Sequence, residues 1–126
     1  MKFKTFAIYK TIILLMFGPP MVLFPKFVFG IFGMDLSTAG GIYAARLFGA
    51  AFTGILVLVW LARNAEDSDV RRAFVYGDFV MSIIGLIVAT LSALKGETNI
   101  LGWLLAAIWL SVALMLGIFI LKGQKP

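Results

Sequence analysis

Residues 40–63 read "GGIYAARLFGAAFTGILVLVWLAR". The run is almost wholly apolar, yet Arg46 sits inside it and Arg63 closes it. From Ile42 to Ala62 the stretch is about 20 residues, which at about 1.5 Å per residue is the length needed to cross a hydrocarbon core. Three other stretches repeat this pattern, at about 6–24, 73–94 and 100–121. Backbone groups in lipid must be satisfied internally, so each stretch is predicted to be a helix. A closed barrel would need alternating segments of about 10 residues, and none is visible. Short polar connections make consecutive helices antiparallel neighbours. The expected fold is all-α: one integral membrane domain over 1–126, a four-helix bundle of two antiparallel hairpins.

Composition agrees. The 126 residues are 62% hydrophobic and 13% charged, with mean hydropathy +1.05. A soluble domain would be about a quarter charged. The net charge of +5 is not a nucleic-acid signal, because the basic residues cluster at the ends of apolar runs. The chain has no cysteine and no histidine, so thiolate chemistry, histidine general bases and histidine ligation are excluded. Neither a cofactor nor a metal is expected. Ser82, Thr90, Ser92 and Ser111 are isolated hydroxyls with no accompanying base.

The opening "MKFKTFAIYKTIILLMF" has a basic front and an apolar middle, but no small-x-small cleavage site follows. It is read as an uncleaved first membrane helix. Pro19 and Pro20 interrupt it, and a kink is expected near Met16 to Pro20. After Phe24 comes "PKFVFGIFGMDLSTAGG", and Phe24, Phe27, Val28, Ile31 and Phe32 follow helical spacing. A short interfacial helix fits, its aromatic side among head groups; an extension of the first helix is the rival. Ser37 or Thr38 is a candidate cap for the second membrane helix, and Asp67, Ser68 or Asp69 for the third.

Basic residues set the orientation. Lys2, Lys4, Lys10, Arg63, Arg71, Arg72, Lys122 and Lys125 fall on one side; Lys26, Arg46 and Lys95 fall on the other. This bias places both termini in the cytoplasm, in a bacterial or archaeal plasma membrane.

Arg46 is the first candidate site. An unpaired arginine at the bilayer centre costs at least about 2.5 kcal/mol, less when it can snorkel. It is either an anion or lipid head-group contact, or a structural group: a snorkelling anchor or an ion pair with Asp35 or Glu97. The structural reading carries more weight. Asp78 on the third helix lies at nearly the depth of Lys10 on the first, which makes them a candidate buried charge pair. Such a carboxylate either ties helices together or relays protons. Ala45, Gly49 and Thr53 form a small-residue stripe, with Ala50 and Gly54 one step round. Spacing of this kind lets helix backbones approach closely, within the bundle or to another protein.

The segments "AARLFGAAFTGILVLVWLAR", "RRAFVYGDFVMSIIGL" and "NILGWLLAAIWL" resemble small bacterial four-helix membrane proteins of unknown function, in the broad DoxX-like style. The likeness runs from about Gly40 to Leu121 and implies the fold, with no functional residue carried over. The expected function is non-enzymatic: an accessory or structural subunit of a membrane assembly, with the bilayer and either other subunits or its own copies as partners. The alternative is an oligomeric transporter or channel, with Arg46 or Asp78 lining its path.

Overall fold

The computed structural model describes residues 1–123. Lys125, counted above among the basic residues, lies outside them. Every element among the described residues is a helix: α1 (Phe3–Leu23), α2 (Pro25–Ile31), α3 (Ala39–Ala62), α4 (Asp69–Leu94) and α5 (Gly102–Leu121). Of these, α1, α3, α4 and α5 are long and apolar enough to cross a membrane. They form the two expected hairpins of a four-helix membrane protein.

Each long helix except α5 begins ahead of its apolar stretch. Thr38 caps α3, its hydroxyl accepting from the Gly41 amide at 3.0 Å. Ser68 caps α4, accepting from the Arg71 amide at 3.2 Å. Both caps satisfy amides that the helix start leaves without partners. α5 starts at Gly102, two residues inside the expected boundary; just before it, the Asn99 side chain accepts from the Leu101 amide at 2.9 Å.

The chain divides into two compact units, Ala7–Arg63 and Met1–Phe6 together with the chain from Asn64 onward. In the first, α1 and α3 run antiparallel. Gly18 meets Thr53 and Phe52, and Gly49 meets Gly18, Met21 and Val22. α1 passes through Pro19 and Pro20 as one helix and ends at Leu23. There the Phe24 amide bonds the Pro20 carbonyl at 2.7 Å, and Pro25 opens α2 as a separate helix. α2 ends in a Schellman motif: Gly33 has φ 75°, its amide bonds the Gly30 carbonyl at 3.0 Å, and the Met34 amide bonds Phe29 at 3.0 Å.

The stripe expected on α2 splits in two. Pro25, Val28 and Phe32 are buried, and Phe32 stacks with Phe17 at 6.1 Å. Phe24, Phe27 and Ile31 are exposed, Phe27 at 70%. Two rows at the same i, i+3, i+7 spacing, offset by one residue, make the helix apolar on two faces. Spacing alone merged them.

In the second unit α4 and α5 pack along their length, antiparallel. Gly85 lies against the indole of Trp109, and Gly117 lies near Phe79. Phe3, Phe6, Phe74 and Phe119 gather at one end, with ring centroids 5.9–6.5 Å apart. α4 ends in the same motif as α2. Gly96 has φ 73°, and the Gly96 and Glu97 amides bond Ala93 and Ser92 at 3.2 and 3.0 Å.

Candidate functional site

Arg63 answers half of the question raised by the two arginines of α3. Its guanidinium lies 3.9 Å from the Trp60 ring centroid, and its Nη1 donates to the Trp60 carbonyl at 2.6 Å. A cation on the last carbonyls of a helix complements the helix dipole, and the indole beneath it is amphipathic. This is a self-contained end anchor.

Arg46 is different. α3 begins three residues ahead of Ile42, so Arg46 lies seven residues in, about 10 Å along the axis. The side chain is exposed and has no ion pair among the described residues. The internal pair with Asp35 is therefore not formed. Gly49, one turn along, is buried at the closest approach of α1 and α3. Ala45 is buried and Thr53 half-buried; the Thr53 hydroxyl donates back to the Gly49 carbonyl at 2.8 Å. Ala50 and Gly54, by contrast, face outward, and a Cβ at Gly54 would meet nothing within 4 Å. The small residues of α3 thus serve two faces, one closed by α1 and one open.

Lys10 and Asp78 are both buried, at 2% and 5% exposure, in α1 and α4. The Ser82 hydroxyl donates to the Asp78 carbonyl at 2.8 Å, and Ser111 donates to Ile108 at 2.7 Å. Both hydroxyls bond back to their own helix backbones. Among the described residues no three carboxylates, histidines or cysteines gather as a metal site would require.

Arg71 was legible only as one of many basic residues, yet it is 4% exposed. Its Nη1 donates to the Ala65 carbonyl at 2.8 Å, its guanidinium stands 4.8 Å from the Phe3 ring centroid, and Asp67 lies 3.9 Å away. Its neighbour Arg72 pairs with Asp69 at 2.7 Å in the open, where such a pair contributes little. Arg71 therefore ties the α3–α4 loop and the start of α1 to the first turn of α4. No local pattern marks it, because Phe3 reaches it from far away in the chain.

These features define a polytopic helical membrane protein. The chain matches no family model, no curated protein and no solved structure.

Proposed function

We propose that the chain is a non-enzymatic membrane module that associates with other membrane helices as an accessory subunit. The observation that carries this reading is the open face of α3. Ala50 and Gly54 stand four residues apart, exposed, at mid-helix. They are flanked on the same face by exposed Leu47, Leu58 and Leu61. In lipid, helices associate through close packing at small residues, with larger side chains closing around the notch. The occupant is a partner transmembrane helix from another subunit. Kinship with DoxX-like membrane proteins, in a plasma membrane, is part of the same proposal.

Gly54→Leu tests it. A Cβ added there meets nothing within 4 Å, and the position is exposed, so the isolated chain should melt as wild type does in detergent. Its recovery with co-purifying membrane subunits should fall several-fold. Unchanged recovery, or a wild-type protein whose mass in mild detergent shows only its own copies, would remove the subunit reading. A homo-oligomer that also passes ions in liposomes would select the transporter instead. The buried Asp78 gives that second reading its footing, since ionisable groups inside membrane helices commonly mark ion paths.

Both termini are proposed to be cytoplasmic, from the bias of lysine and arginine. Reporter fusions at either end should give a cytoplasmic signal. An external signal would reverse the orientation and move Arg46 to the inner leaflet.

A further inference from the structure

We infer that Lys26 and Arg46 together bind the phosphate of an anionic lipid head group at the break between α1 and α2. The inference rests on the membrane assignment and not on the subunit reading.

The packing of α3 on α1 sets the depth of Arg46. Ile42, Arg46, Gly49 and Thr53 follow each other at spacings of four, three and four, so they share one face of α3. Thr53 meets α1 at Gly18, and Gly49 meets it at Met21 and Val22. Going three residues further along α3, to Arg46, passes the last residue of α1, Leu23. Arg46 is therefore level with the start of α2, within about one turn of Lys26 in depth.

Both side chains are exposed, and neither has an ion pair among the described residues. The one carboxylate in Ala7–Arg63, Asp35, is exposed and engages neither. Two cations at one level repel each other. An anion held by both replaces that repulsion with two attractions, and the arginine fork matches a phosphate in a way a point charge cannot. Phe24, Phe27 and Ile31 are exposed at and along α2, and Tyr43 is exposed one turn from Arg46. Aromatic side chains of this kind settle at the head-group level, where lipid phosphates are concentrated. The bilayer that must cover the apolar helices thus brings the ligand to the site.

The test uses the full chain in a non-ionic detergent, titrated with phosphatidylglycerol, with phosphatidylcholine or with inorganic phosphate. Bound lipid is counted by native mass spectrometry, and the melting temperature is followed in parallel. Phosphatidylglycerol should bind and raise the melting temperature; the other two should not. Arg46→Gln and Lys26→Gln should each weaken phosphatidylglycerol binding about fivefold, the usual effect of one basic residue at an anionic surface. Arg46→Lys should lose part of the binding, because it keeps the charge and not the fork. Lys95→Gln, an exposed cation elsewhere, should bind as wild type does. Equal binding by wild type and both glutamine variants would overturn the inference. So would a matching shift with phosphatidylcholine or with inorganic phosphate. Should Arg46→Gln melt lower without lipid, Lys26→Gln and Arg46→Lys still decide the matter.

Discussion

Gly49→Leu is expected to prevent stable packing of the Ala7–Arg63 unit. A Cβ at Gly49 would already lie 2.8 Å from the Gly18 carbonyl oxygen, 2.9 Å from Met21 Cβ and 2.9 Å from the Val22 amide nitrogen. Two of these three neighbours are backbone atoms, so no rotamer change makes room. Overpacking a core ordinarily costs about 1–3 kcal/mol; forcing two helix backbones apart should reach the top of that range or exceed it. The lost contact has no hydrophobic compensation, because lipid is as apolar as the partner helix. Leu56→Ala, which trims a half-buried side chain on the same helix, should be milder. Thermal unfolding in detergent checks both. Equal melting temperatures for Gly49→Leu and Leu56→Ala would show that α1 and α3 do not approach as closely as described. The contrast with Gly54→Leu is informative: five residues along the same helix, the same substitution should leave the fold untouched.

The second large effect is expected at Arg71. Arg71→Leu removes a charged donor from the Ala65 carbonyl and the guanidinium from the Phe3 ring. A hydrogen bond involving a charged group contributes about 1.5–3 kcal/mol. A desolvated cation–π contact adds up to about 2 kcal/mol. The leucine recovers part of this by packing in the same buried space, so a net loss of about 2–3 kcal/mol is expected. Arg71→Lys should recover only a fraction, because an ammonium cannot reach the carbonyl and cover the ring together. Limited proteolysis offers a local readout: cleavage in the α3–α4 loop should quicken for Arg71→Leu, while Arg72→Leu should behave as wild type. A leucine variant as stable and as protected as wild type would mean that Arg71 does not hold this end together.

Much of the fold was legible because membrane helices are declared by local quantities. Length and apolarity located all four long helices. Their starts were displaced by two or three residues on α1, α3 and α5 and by four on α4, while their last residues fell within one residue of the expected ones. The reason is that hydropathy falls where the first charges appear, whereas a helix starts at its cap. Thr38 and Ser68 lie outside the apolar runs and still set the first turns of α3 and α4. The break at Phe24 was likewise within reach, as proline at position 25 cannot continue the hydrogen bonds of α1.

The candidate site was legible in part for the same reason. Arg46 and Asp78 stand out because a charge in an apolar run is conspicuous by itself. What each faces was not legible. Gly49 and Gly54 have the same composition and nearly the same surroundings in the chain, yet one is sealed against α1 and the other is open. Gly18 and Gly85 each receive a neighbouring helix, α3 at Gly18 and the Trp109 indole of α5 at Gly85, which nothing in their local sequence marks. Val28 and Phe27 are adjacent aliphatic and aromatic residues on one helix, and only packing decides that the first is buried and the second is not. Arg71 belonged to a charged loop by sequence and became buried because Phe3 packs over it. The sequence by itself determined that the chain is helical and belongs in a bilayer, since transfer from water to lipid is close to a sum over residues. The tertiary structure decided which glycine admits a backbone, which arginine is held and which stays exposed, since those outcomes depend on pairs of residues distant in the chain.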